Sequence, residues 1–269
     1  MTSTHKLTII ALIALSLTAC RKEKEETPLD LDYTSAGDNA RAEDYFNDML
    51  YQSDEAAKNN GLRDTDDPCA PIVTIDLVAM PHTMLIDFGD VNCTALNGRE
   101  RRGQILVTFT GPYADPGTVI TITPQDYYLN DHHVQGTKTV TNMGLDVNDH
   151  PYFAVQVDGT VTAPDASWTA EHHATRTRTW IQGDDTPTPF DDVYLITGNG
   201  NGINRLAVAY TLTITEALRV EIGCPWIVSG ALEITPAGHA TRYVDFGSGS
   251  CDAVVTVTVS GYTFTFIMG

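Results

Sequence analysis

Basic side chains are scarce in this sequence: 16 Lys and Arg stand against 35 Asp and Glu, a formal net charge of −19. So acidic a surface repels phosphate backbones and anionic headgroups, which excludes nucleic acid as a partner. Long apolar runs are also missing. The longest, Leu7 to Leu17, is well short of the roughly 18 residues that a membrane-spanning helix needs. No Gly-x-Ser-x-Gly stretch occurs, which removes the nucleophile elbow of the α/β-hydrolases. No two cysteines have C-x-x-C spacing, and no aspartate run has the spacing of an EF-hand loop. No helical periodicity separates the strand-like runs, so parallel β-α-β units are excluded and antiparallel sheets remain.

What is present begins with an address. Residues 1–19 combine a short basic start (His5, Lys6), an apolar stretch and small residues before Cys20, the layout of a secretory signal peptide. Leu17-Thr18-Ala19-Cys20 resembles a bacterial lipobox. Cys20 is therefore the expected lipidation site and the expected first residue after cleavage. Each buried CH₂ of an acyl chain contributes about 0.8 kcal/mol, so two or three chains would anchor the protein to a membrane permanently. Residues 20–35 are charged and poor in large apolar side chains, and they read as a tether.

One stretch has helical periodicity. Across residues 36–61, Tyr45, Phe46, Met49 and Leu50 recur at three- and four-residue spacing, with Ser35 or Asp38 placed to cap the start and Gly61 after the last turn. From residue 65 to 269 the chain alternates short runs rich in Val, Ile, Thr and Tyr with turn residues. Asp115-Pro116-Gly117, Asn130-Asp131, Asp158-Gly159, Asn199-Gly200 and Ser260-Gly261 are the expected turns. The expected fold is all-β and antiparallel, as a sandwich or as an extended or curved sheet, with one N-terminal amphipathic helix.

A segment recurs within this domain. Cys69, Ile72, Val73, Thr74, Leu77 and Pro81 align without a gap with Cys224, Ile227, Val228, Ser229, Leu232 and Pro236. Asp87-Phe88-Gly89 and Asp245-Phe246-Gly247 then precede Cys93 and Cys251 by the same interval. Three extra residues in the second copy fall where a turn is expected, as an indel between matched strands should. Residues 69–111 and 224–269 are thus read as an internal duplication. Four cysteines permit three pairings; the pairing that survives duplication of a hairpin is Cys69 with Cys93 and Cys224 with Cys251. Disulfides place the domain in an oxidising compartment.

Few residues suggest chemistry. The two Asp-Phe-Gly triplets and Gly198-Asn199-Gly200-Asn201-Gly202 lack the context of a kinase or phosphate loop and read as turns. His132-His133 and His172-His173 are adjacent pairs whose members point to opposite faces of a strand, so they are expected as exposed histidines, not as a metal set. Trp168, Trp180, Trp226, Tyr113, Tyr127 and Tyr128 are expected in packing, with a sugar platform as the sharper alternative. Aspartates at 64–67, 146–149, 184–185 and 191–192 read as solvated loop acids, with calcium binding as the alternative. No catalytic residue, metal or cofactor is expected.

The lipobox, the cysteine-bounded units, residues 115–144 (DPGTVITITPQDYYLNDHHVQGTKTVTNMG) and 191–205 (DDVYLITGNGNGINR) together resemble a family of uncharacterised secreted lipoproteins of the Bacteroidota. The resemblance covers roughly residues 65–269 and implies an outer-membrane-anchored envelope protein without assigned activity. In that phylum, export to the cell surface resembles a signal of consecutive acids after the lipidated cysteine. Here lysines interleave with the acids from Arg21 to Glu26, which leaves both the cell surface and the periplasmic face open. The functional expectation is a structural or binding module with a protein or glycan partner. The alternative is a secreted hydrolase or metal-dependent enzyme using His and Asp side chains in a cleft.

Overall fold

A computed structural model of the chain describes residues 30, 32–58, 67–186, 191–224 and 226–267. Cys20, the signal segment, the tether up to residue 29 and residues 59–61 lie outside the described residues. Helix α1 (Thr34–Lys58) comes first, followed by β1 (Ile72–Asp76), β2 (His82–Asp87), β3 (Cys93–Thr94), β4 (Glu100–Phe109), β5 (Val119–Leu129), β6 (His132–Leu145) and β7 (Pro151–Thr162). The chain continues through β8 (Thr169–Gln182), β9 (Val193–Ile203), β10 (Ala209–Glu221), β11 (Ile227–Pro236), β12 (Arg242–Ser248), β13 (Val254–Val259) and β14 (Tyr262–Ile267). All the strands belong to one antiparallel meander in sequence order, with the short β3 paired beside β4. The sheet does not close. It curls instead, so that α1 touches β2 near one edge and β11 near the other.

The strands follow from alternation. In β7, Phe153, Val155, Val157 and Val161 are buried under the helix while Gln156 and Asp158 face solvent, the period-two pattern of a half-buried strand. Phe46 and Met49 of α1, both fully buried, seat on this concave face with Ile86, Ile105, Ile122 and Tyr127. A second cluster around Tyr210, Leu212, Ile234, Val244 and Val257 receives Tyr33 and Ala36 at the start of the helix.

The structure departs from expectation in three places. Asp158-Gly159 and Asn199-Gly200 are not turns, and Gly198 to Gly202 is not a loop; they lie inside β7 and β9. Gly136, Gly159, His172, Gly202 and Tyr210 form one register row across β6 to β10, and the helix crosses the sheet there. A Cβ on Gly159 would sit 2.2 Å from Cζ of Phe46, so the missing side chain admits the aromatic ring. Gly159→Val should therefore lower stability by about 1–3 kcal/mol, the usual cost of overpacking, as a drop in the urea midpoint with no change in slope. The helix cap also differs from expectation. Asp32 Oδ1 accepts the Thr34 N–H at 2.9 Å, which frees Ser35 and Asp38 to bind the sheet.

The third change concerns the two similar cysteine-bounded segments. Both are hairpins clasped as expected, by Cys69–Cys93 and Cys224–Cys251. Both Asp-Phe-Gly triplets make the same local bond, but only the first leaves its strand: Asp87 ends β2, whereas Asp245-Phe246-Gly247 lies within β12 and is not the expected turn. Asp87 and Asp245 each accept, on Oδ1, the N–H of the following glycine at 2.7 Å, and Gly89 and Gly247 take φ of +82° and +89°. The registers differ, however. Asp87 faces Ile72, three residues past its cysteine, whereas Asp245 faces Ala231, seven past. Residues 77–81 and 237–241, equal in number, form the turns of the first and second hairpin, so the extra residues lengthen the second hairpin's strands and not its turn. Equivalent strands β1 and β11 also run in opposite directions along the meander. The two disulfides consequently lie at opposite ends of the sheet.

Charge fastens the helix to the sheet. Asp38, Glu43, Asp44 and Asp48 of α1 meet Arg205, Arg176, Arg99 and Arg101, the second and fourth in β8 and β4 and the others in the connections between strands, with N–O distances of 2.7, 2.6, 2.7 and 2.6 Å. Upstream, Asp30 holds Arg242 at 2.7 Å. Much of the scarce basic charge therefore lies beneath the helix.

Candidate functional site

Inside the curl, Glu43, Lys138, His172 and Arg176 share one buried neighbourhood. Lys138 donates to Asn47 Oδ1 at 2.6 Å, and burial draws its ammonium down to about 8. His172 is 1% exposed, stacks on Phe46, and lies 3.7 Å from Glu43. It is a buried histidine, against the expectation of an exposed one, because its side chain points to the helix face of β8. Burial lowers its pKa. Burial alone would raise Glu43, but the charges of His172, Arg176 and Lys138 outweigh it and hold the carboxyl below its usual value.

The sign of the pH dependence follows. His172 and Glu43 both have folded pKa values below their unfolded ones, so each contributes stability above its ordinary pKa that is lost as pH falls. Loss should begin near the ordinary imidazole value of about 6.5 and deepen near the glutamate value of about 4.3. Urea midpoints between pH 7.5 and 2.5 should show two steps. His172→Gln should shrink the upper step, leaving the part due to His132, whose pKa burial also lowers, and keep the lower; an unchanged upper step would refute its assignment.

This interior is filled by the helix, which leaves the convex face as the exposed one. There the residues of each register row share one side of the sheet. Thr139, Gln156, Thr175, Asn199 and Thr213 form one row across β6 to β10. Thr137, Asp158, His173, Asn201 and Thr211 form the next. At their centre Gln156, Asp158, His173, Thr175, Asn199 and Asn201 line a shallow depression of about 220 Å³. Neighbouring strands stand about 4.8 Å apart and alternate residues about 6.7 Å apart, so the six groups form a grid about the size of one or two sugar rings. Amides and hydroxyls donate and accept, Asp158 accepts, and His173 approaches it with Nδ1 at 3.3 Å from Oδ1. Such a grid can hydrogen-bond a polar partner at several points.

The other sequence candidates are placed as follows. His132 and His133 lie across β7 from His172 and His173, and the pairs do not converge. His132 faces the helix, with Nδ1 3.2 Å from the Tyr45 hydroxyl. His133 stacks on Tyr128 at 4.5 Å, and Arg102 covers the other face of that ring at 3.8 Å. Trp168, Trp180 and Tyr113 pack against the core and Tyr127 is buried in it, so they build no exposed sugar platform. Among the described residues no group of three or more His, Cys, Asp or Glu side chains is arranged to hold a metal ion. The grid was missed in the sequence because its residues sit in three strands; only the alternation of Gln156 with Asp158, His173 with Thr175 and Asn199 with Asn201 hinted at it.

No family model, curated protein or solved structure matches the chain.

Proposed function

We propose that the chain is a lipoprotein of the bacterial outer membrane, resembling secreted lipoproteins of the Bacteroidota, that binds a hydroxyl-rich partner, a glycan before a protein, through the convex face of its sheet. The observation that carries this reading is the polar grid of Gln156, Asp158, His173, Thr175, Asn199 and Asn201, flanked by threonines in both rows. Two disulfides support a compartment outside the cytoplasm. Asp30, the first described residue, is held by Arg242, His239 and the Ala240 N–H at the turn between β11 and β12. A tether from Cys20 would reach the membrane from that end of the sheet and leave the convex face free.

Two experiments test the reading. Cys20→Ser should move the protein from the detergent phase to the aqueous phase on partitioning; continued detergent partitioning would refute the anchor. On a printed array of bacterial and host-type glycans the protein should bind a subset. His173→Ala and Asn199→Ala should each weaken that binding roughly tenfold, the loss of about one net hydrogen bond. Wild-type protein that binds no glycan, or variants that bind undiminished, would overturn the assignment.

A further inference from the structure

The meander ends on β14, and among the described residues only β13 pairs with it. From Ala253 to Gly269 there is no Asp, Glu, Lys or Arg, in a chain with a net charge of −19. Natural sheets blunt such an edge with a lysine, a proline, a bulge or a cover. Strand β14 pairs with β13 without a register shift and carries none of those residues. The opposite edge, β1, does carry a charge at Asp76 and is followed by Pro81.

The pattern of β14 is its own complement. Tyr262, Phe264 and Phe266 share one face, the face on which Tyr33 makes edge contacts with Phe264 at 6.3 Å and Phe266 at 5.3 Å. Thr263 and Thr265 share the other. In an antiparallel pair of β14 strands centred on Phe264, Phe264 meets its own copy, Tyr262 meets Phe266, and Thr263 meets Thr265. Aromatic faces aromatic and hydroxyl faces hydroxyl, the favourable cross-strand combinations. The backbone agrees. Ser260 and Gly261, with φ of +51° and +82°, close a two-residue turn between Val259 and Tyr262. In such a hairpin the closing pair exchanges hydrogen bonds and pairs alternate thereafter, so Thr263 and Thr265 direct their N–H and C=O outward. These two residues would be hydrogen-bonded partners in the centred register.

We infer that β14 joins a second copy of this chain edge to edge, in a two-fold dimer whose sheet is continuous across both molecules. Pairing like with like uses up both β14 edges and stops at two. The uncharged hairpin is also the place where two strongly acidic chains approach with least repulsion.

Sedimentation at about 50 μM in physiological salt is the test, on protein lacking residues 1–19 and carrying Cys20→Ser to keep it in solution. The wild-type domain should sediment as a dimer. Thr265→Pro removes an outward N–H without breaking a bond to β13, and Thr265→Lys keeps the N–H but sets two like charges at diagonal positions on the same face, beside the two-fold. Both variants should sediment as monomers, with dimer dissociation constants raised at least 100-fold and thermal midpoints close to wild type. If Thr265→Pro fails to fold, Thr265→Lys decides alone. A monomeric wild type, a dimer that survives in the folded variants, or an open-ended polymer would overturn the inference.

Discussion

Asp48→Ala should destabilise the domain by about 3–5 kcal/mol, the cost of stranding a buried charge. Arg101 and Asp48 have side chains 2% and 5% exposed, and they meet through two bonds, Nη2 to Oδ1 at 2.6 Å and Nε to Oδ2 at 3.1 Å. The Tyr127 hydroxyl donates to the same carboxylate at 3.2 Å. Removal of the carboxylate leaves a guanidinium beneath the helix and orphans the phenol. The double substitution Asp48→Leu with Arg101→Met removes both charges and restores apolar volume, so it should recover most of the loss. Urea unfolding of Asp48→Leu, Arg101→Met and the double variant yields the coupling energy. A single-site loss below 1 kcal/mol would show that water reaches the pair and that charge does not hold the helix down.

Loss of either disulfide should be nearly as costly. The bridged residues are 24 and 27 positions apart, and loops of that length give about 3–4 kcal/mol each in the chain-entropy model. The bridges lie at opposite ends of the sheet and share no partners, so their contributions should add. Cys69→Ser with Cys93→Ser, and Cys224→Ser with Cys251→Ser, should lower stability by similar amounts. The fourfold variant should lose roughly the sum, comparable to the whole stability of about 5–15 kcal/mol of an ordinary domain. Thermal midpoints of the three variants decide. A fourfold variant as stable as either pair variant would mean that the hairpins hold without their clasps.

The helix and the antiparallel sheet were legible because each depends on periodicity within one segment. Tyr45, Phe46, Met49 and Leu50 mark the buried stripe of α1 without reference to anything else in the chain. The disulfide pairing was legible for a related reason, since two cysteines bracketing one hairpin are brought together by local geometry. The glycines at 159 and 200 were misread because the same residue type serves a tight turn and a close approach. Only Phe46, more than 100 residues away in sequence, distinguishes the two uses at Gly159. Buried arginines left a weak trace, as charges at inward positions such as Arg101 in β4 and Arg176 in β8, but the acids that neutralise them lie in the helix.

By itself, then, the amino-acid sequence determined the elements, the antiparallel class and the two clasped hairpins, because alternation, turn chemistry and short loop closure act between near neighbours. Tertiary structure alone decided that the strands form one curled sheet and not two packed ones, that the two clasped hairpins differ in register and place their clasps at opposite ends, and that Gln156, Asp158, His173, Thr175, Asn199 and Asn201 form one grid. Those outcomes depend on which residue stands opposite which across strands, and hydrophobic alternation is indifferent to any shift of two residues. The helix fixes that choice physically: its acids and its Phe46 ring fit the sheet only where arginines and a glycine lie beneath them.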